Sequence, residues 1–110
     1  MLCTDVLVPI DYTNIKLGTF KISVLKHEAS NKQDRIGSMF VNPGGPGASG
    51  VEYAYQAEYI VSPQLLALYD IVGFDPRGVG RSAPIRCLTD DETDANYASD
   101  AKPDNPAEFE

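Results

Sequence analysis

Two short glycine-rich segments carry the residue types that a catalytic loop requires. The first, residues 41–47 (VNPGGPG), lies between a β-rich run and a run that can form a helix. Adjacent glycines leave backbone amides unobstructed by side chains, and proline stiffens the turn around them. A rigid loop with bare amides suits an oxyanion hole, whose donors must be fixed before charge develops on the substrate. An ordinary tight connection between strand and helix explains the same residues, so both interpretations stay open.

Phosphate binding is another chemistry that a glycine-rich loop can perform. The segment contains no lysine and no GK[ST] sequence, so it does not match a P-loop. Residues 45–50 do fit the dinucleotide pattern GxGxxG between a strand and a helix. Pro46 inside that pattern and the antiparallel strands predicted before it argue against a dinucleotide site. We therefore predict no cofactor.

The second segment, residues 75–82 (DPRGVGRS), follows another predicted strand and begins with an acid. Asp75 has the position of a catalytic carboxylate at a strand end. The interpretation we favour is structural: Asp75 and Arg77 tie the loop together by charge-assisted hydrogen bonds. Gly78, Gly80 and Ser82 then belong to the same structural loop.

Strands and a helix must position these two segments. Alternation of apolar and polar residues over 19–27 indicates a half-buried antiparallel strand, and Pro9 puts the preceding run at a sheet edge or ends it there. The predicted strands cover residues 4–10, 19–27, 35–41 and 69–75, and the predicted helices cover 51–60, 63–68 and 90–98. The predicted N-caps are Ser49, Ser62 and Thr89. A hairpin followed by strand–helix–strand predicts an α/β fold with a right-handed βαβ unit.

The net charge of −7 is concentrated at one end of the 110-residue chain. Acids and bases balance over residues 1–89, whereas 90–110 is acidic, which predicts a globular part followed by an acidic helix and linker. The acidic stretch is either a solvated surface or an attractor of a substrate's α-amine. Nothing resembles a basic nucleic-acid footprint, an apolar membrane span or a signal peptide. One histidine and two distant cysteines predict no metal site.

The two glycine-rich motifs together are far more specific than either alone. In this order they resemble the opening of the tripeptidyl-aminopeptidase-like α/β-hydrolases, relatives of the proline iminopeptidases. The resemblance covers roughly residues 3–90, and its further segments are Cys3, 8–12, 18–19, 35–38, 40–50, 69–82 and 87–88. It implies the N-terminal part of an α/β-hydrolase with an incomplete sheet. It also implies a serine exopeptidase that acts on free N-termini of peptides, outside the cell or in the cell envelope.

The resemblance also implies roles for individual residues. Gly45 matches the family glycine whose amide lines the oxyanion hole, with Gly44, Pro46 and Gly47 beside it; Pro43 stands where the family has histidine. No GxSxG nucleophile elbow is present. In this fold the triad follows Asp75 in the order serine, acid, histidine. Because the elbow that carries the serine is absent, none of the three should be in this chain. We expect the chain to stop before the nucleophile and to be inactive alone. The alternatives are a truncated binding product without catalysis and a gene remnant.

Three further side chains need an interpretation. Cys3 and Cys87 are too far apart for a CxxC motif, and two buried thiols are the simplest state. The resemblance implies instead a Cys3–Cys87 disulfide, since the family places a cysteine at each point and is typically exported. Pairing of Cys87 with a cysteine beyond Glu110 is the remaining alternative. His27, at the end of the second predicted strand, is expected on the surface.

Overall fold

The computed structural model describes residues 1–99, which form a four-stranded mixed sheet with helices. The strands are β1 (Leu2–Pro9), β2 (Thr19–His27), β3 (Gly37–Phe40) and β4 (Tyr69–Phe74). The helices are α1 (Gly50–Tyr55), α2 (Ala57–Ile60), α3 (Pro63–Leu68) and α4 (Asp90–Ala98), with a 3-10 turn at Ile15–Leu17. None of the helices in residues 1–99 has the length and apolarity to cross a membrane. The linker and chain end predicted over 100–110 lie outside the described residues.

The predicted hairpin is confirmed. β1 and β2 pair antiparallel over their full length, from Leu2 opposite Lys26 to Pro9 opposite Thr19. Pro9 lies at the last position of an edge strand, where its missing N–H costs no ladder bond. β1 begins at Leu2, two residues earlier than predicted, so Cys3 is inside the strand.

The predicted βαβ unit is also confirmed, and the fold is of the α/β class with an incomplete open sheet. β3 and β4 run parallel and are joined through α1, α2 and α3, as a parallel pair requires. The strand order is β1-β2-β4-β3, so β4 lies between the hairpin and β3 and pairs antiparallel with β2. β3 is shorter than predicted, although the amides on either side of it still bond: that of Ile36 donates to Leu68 at the end of α3, and that of Val41 donates to Val72 of β4.

The single helix predicted over residues 51–60 is wrong, because two helices meet at Gln56. Its backbone has ψ 19°, which turns the chain. The Gln56 amide is shared between the carbonyl oxygens of Glu52 and Tyr53, at 3.2 and 3.1 Å. This shared bond tightens the last turn of α1 and lets α2 begin in a new direction.

The core lies where α1 packs directly on β4. Its buried apolar members are Leu25, Val51, Ala54, Ala57 and Ile71. Helix and strand approach so closely that a Cβ on Gly73 would collide with the carbonyl oxygen of Gly50 and lie 2.7 Å from the Ala54 Cβ. Only glycine permits this approach, and it brings the start of α1 against the carboxyl end of β4.

Local capping chemistry fixes the helix starts as predicted. The Ser49 hydroxyl accepts the Glu52 amide, and the Ser62 hydroxyl accepts the Leu65 amide. Thr89 and Glu92 form a reciprocal capping box at the start of α4. α4 buries none of its residues, and three acids occupy its first turn, where the helix dipole favours negative charge.

Candidate functional site

The two glycine-rich segments meet at one edge of the sheet. Residues 41–49 follow β3 and residues 75–82 follow β4. Because β3 and β4 are parallel neighbours, the loops leave the same edge of the sheet, where open α/β sheets place their ligands. The structure therefore brings the two predicted loops together.

The Asp75 carboxylate forms the direct connection between these loops. One of its oxygens, Oδ1, accepts the Ser49 hydroxyl at 2.6 Å and the Val51 amide at 3.1 Å. The other, Oδ2, accepts the Arg81 amide at 2.8 Å. The residue is fully buried, at 0% exposure. Burial raises the pKa of Asp75, but the bonds from Arg81, Ser49 and Val51 outweigh it and hold the pKa below its usual value.

Asp75 ties the loop together by charge-assisted hydrogen bonds as expected, whereas the same expectation for Arg77 is wrong. A turn closed by the Val79 amide on the Pro76 carbonyl, at 3.0 Å, carries Arg77 away from the carboxylate. Arg77 donates instead to the carbonyls of Pro9 and Ile10, at 2.8 Å each.

Two aromatic rings complete the Arg77 site. The guanidinium lies 4.6 Å from the ring centre of Phe20 and 5.5 Å from that of Tyr12. Its planar fork therefore satisfies two carbonyls while its face stacks on an aromatic ring. Arg77 fastens the end of the hairpin to the loop after β4.

The remaining residues of the second loop shape it from within. The Ser82 hydroxyl is fully buried and accepts the Ser23 amide of β2 at 2.9 Å. The Gly78 amide donates to the Ser82 carbonyl at 2.9 Å, which closes the loop on itself. Gly80 lies against the Asp75 carboxylate, at a place that a Cβ would fill. This packing lets the next amide, that of Arg81, reach Oδ2.

The first loop exposes several backbone amides. Gly44, Gly45 and Gly47 have φ angles of 81°, 132° and 92°, which disfavour any residue with a side chain. The Gly44 amide bonds the Asn42 side chain at 3.0 Å. Within residues 1–99, no hydrogen bond is found for the amides of Gly45 and Gly47, and residues 45–47 form a tight turn.

The space around Gly45 is narrow. A Cβ there would lie 2.8 Å from the Gly47 nitrogen and 3.1 Å from the Ala48 nitrogen. The loop is thus folded tightly around this glycine, and its surface is solvent-exposed. Chemically, the arrangement offers unpaired N–H donors to an anionic oxygen.

The cysteines are both free and exposed, so the expectation of two buried thiols is wrong. Cys3 is opposite Leu25 in the hairpin, on an edge strand that leaves it open to solvent. The Cys3–Cys87 disulfide implied by the resemblance is not formed in this structure. Among residues 1–99, no three His, Cys, Asp or Glu side chains come together as a metal site.

His27 ends β2 as predicted, but it is not a surface residue. Its side chain is only 17% exposed, and Nε2 is 3.5 Å from the Glu58 carboxylate of α2. Nδ1 is buried without a partner in the described part of the chain. The contact from Glu58 therefore joins the end of β2 to the short helix α2.

Similarity to known proteins extends over most of the chain, although no family model matches it. Carboxylesterase B of Mycobacterium tuberculosis is 46% identical over 95 residues, which are 84% of this chain and 18% of that protein. Serine protease Hip1 of the same species is 38% identical over 94 residues, again 84% of this chain and 18% of that protein. Tripeptidyl aminopeptidase of Streptomyces coelicolor is 38% identical over 97 residues, or 82% of this chain and 17% of that protein.

The chain therefore spans less than a fifth of the length of the curated relatives it matches. All three are named as hydrolases of ester or peptide bonds. The resemblance drawn from the two motifs is confirmed: this chain is homologous to a segment of hydrolases that include a tripeptidyl aminopeptidase.

Proposed function

We propose that this chain is the part of a longer serine hydrolase that carries the oxyanion-hole loop, with the nucleophile supplied by sequence outside it. The observation that carries the proposal is the pair of unpaired amides at Gly45 and Gly47, in the loop at the carboxyl end of β3. Similarity to an esterase, a serine protease and an aminopeptidase supports acyl transfer as the reaction class.

The proposed role of the loop is electrostatic. Attack of a serine hydroxyl on an acyl carbonyl turns the carbonyl oxygen into an anion, and fixed N–H donors stabilise that anion without reorganising. The Gly45 amide is the proposed donor from this chain, and the amide of the residue after the nucleophile is the proposed second donor. Because the loop is tied down by its own tight folding and by Asp75, its donors are in place before the reaction.

We further propose peptides with a free N-terminus as substrates, and a location outside the cell or in its envelope. The tripeptidyl aminopeptidase and the serine protease among the relatives support a peptide substrate. Carboxylesterase B, at 46% identity, favours esters as a second candidate. Turnover of a tripeptide anilide, of its N-acetylated form and of a simple aryl ester separates the two. Loss of turnover on N-acetylation supports the aminopeptidase, and turnover of the ester alone contradicts it.

The test of the oxyanion loop is Gly45→Ala in the full-length protein that contains this chain. The added methyl would meet the Gly47 and Ala48 nitrogens at 2.8 and 3.1 Å, so the loop must open. We expect kcat to fall by about a hundredfold, as for loss of one oxyanion donor.

The matched control is Gly37→Ala at the start of β3. That residue has no left-handed φ, and a Cβ there has no atom within 4 Å. It should keep normal kcat. If Gly45→Ala folds and its kcat equals that of the control, the loop does not supply an oxyanion donor.

A further inference from the structure

We propose that Asp75 is a positioning residue that holds the glycine-rich loop in its donor geometry through Ser49. The inference rests on the proposed function, since it assigns Asp75 a part in keeping the oxyanion donors in place. Asp75 itself is buried beneath the loops and would touch neither substrate nor nucleophile.

Ser49 is the point at which the glycine-rich loop, α1 and Asp75 meet. It is two residues beyond Gly47 and is the last residue before α1. Its hydroxyl donates to Asp75 at 2.6 Å and accepts the Glu52 amide at 3.0 Å. The loop's last residue is therefore fixed from both sides by one oxygen atom.

A carboxylate is the side chain that this position requires. Three donors converge on it: a hydroxyl, the Val51 amide of α1 and the Arg81 amide of the second loop. Both carboxylate oxygens are used, and an amide side chain of the same shape would present N–H groups to one set of donors. Charge-assisted bonds of this kind are about twice as strong as neutral ones, which suits a rigid support. The hydrogen bond from Ser49 to Asp75 is called the brace below.

The brace gives the first loop a rigid end. On its other side the loop continues directly from β3, where the Val41 amide still bonds the Val72 carbonyl at 2.9 Å. The loop is thus held at both ends by β4 and the residue that follows it. Removing one of these anchors would let the Gly45 amide move, and a displacement of about 1 Å at a catalytic group can cost about a hundredfold in rate.

The experiment compares three variants of the full-length protein: Ser49→Ala, Ser49→Thr and Ser62→Ala. Ser62 caps α3 as Ser49 caps α1, but among residues 1–99 its hydroxyl has no bond to a carboxylate. Ser62→Ala therefore removes a cap alone, whereas Ser49→Ala removes a cap and the brace. Ser49→Thr keeps the hydroxyl for both. Turnover is measured per active site, after titration with a fluorophosphonate, at a temperature where every variant is folded.

We expect Ser49→Ala to lower kcat about tenfold or more with little change in KM, because donor geometry matters in the transition state and not for substrate binding. Affinity for a peptide boronic acid, which forms a tetrahedral adduct, should fall by a similar factor. Ser49→Thr should restore both values, and Ser62→Ala should leave both normal.

If Ser49→Ala and Ser62→Ala both keep normal kcat while Gly45→Ala is impaired, the role of the brace is overturned and the proposed function stands. A shared loss in Ser49→Ala and Ser62→Ala would also overturn the role of the brace, since the effect would then follow from capping. Normal kcat in Gly45→Ala would overturn the proposed function, and the brace with it.

Discussion

Asp70 is a buried acid near the start of β4, and replacing it tests how the sheet is held at the end of that strand away from the site. Its carboxylate is 4% exposed, accepts a hydrogen bond from the Arg35 guanidinium at 2.9 Å and forms an ion pair with the Lys26 ammonium at 3.4 Å. The Ala29 amide donates to its other oxygen at 2.9 Å. These bonds connect β4 to β2 and to the chain leading into β3.

The expected cost of Asp70→Asn is about 2–3 kcal/mol in unfolding free energy at neutral pH. Breaking a fully buried ion pair from one side costs about 3–5 kcal/mol, and an exposed pair is worth under about 1 kcal/mol. Arg35 and Lys26 are 40% and 36% exposed, so both can recover water when the carboxylate is lost. The cost therefore falls between the two limits.

The effect should also depend on pH. The Arg35 guanidinium, then the Ala29 amide, hold the pKa of Asp70 well below its usual range. The unfolded chain therefore takes up a proton first, and the stabilisation is present above about pH 4 and is lost progressively below it. The difference between wild type and Asp70→Asn should be about 1 kcal/mol smaller near pH 3 than at pH 7.

Urea unfolding of the full-length protein at both pH values is the assay. Asp90→Asn is the control, because its partner Arg86 is 80% exposed and 3.8 Å away. It should change stability by less than about 1 kcal/mol. Asp70→Asn should lower the unfolding free energy by more than Asp90→Asn does, and the loss should shrink as the pH falls. An equal loss in the two variants, or a loss that grows as the pH falls, would show that the ionised Asp70 carboxylate does not stabilise the fold.

Two further predictions concern the ends of the hairpin and the thiols. Arg77→Lys should destabilise by about 1–2 kcal/mol, since a single ammonium cannot bond both carbonyls and lacks the planar stacking face; an unchanged melting temperature would contradict this. Cys3 and Cys87 are exposed and should both react with iodoacetamide in the native, unreduced protein. Protection of both until a reductant is added would contradict this, and peptide mapping of the non-reduced protein would then show whether Cys3 and Cys87 are bonded to each other.

Features that depend on neighbours along the chain could be predicted from the sequence. One example is the alternation of apolar and polar residues in β2. The caps at Ser49, Ser62 and Thr89 are others, because each side chain bonds a backbone amide only three residues away. The order of strand, glycine-rich loop, helix and strand likewise predicts the parallel pair β3–β4.

Features that depend on distant pairing could not be predicted in the same way. The position of β4 between β2 and β3 follows from antiparallel pairing with β2, which no local pattern specifies. Closeness in sequence suggests a role for Arg77 beside Asp75, whereas its partners, the carbonyls of Ile10 and Pro9, are 67 and 68 residues away.

The burial of Asp70 has a signal in the sequence, but its partners have none. Asp70 lies within a strand whose next three residues are apolar or glycine, and a buried acid needs partners. The identity of those partners, Lys26 and Arg35, depends on the tertiary pairing of three segments.

The most direct test of the oxyanion assignment is a crystal structure of the full-length protein inhibited by a fluorophosphonate. We expect a phosphonyl group on a serine outside residues 1–110, with its oxygen about 2.7–3.1 Å from the Gly45 nitrogen. Attachment to Ser49 or Ser82, or an oxygen that contacts no amide of residues 44–48, would contradict the proposed oxyanion loop.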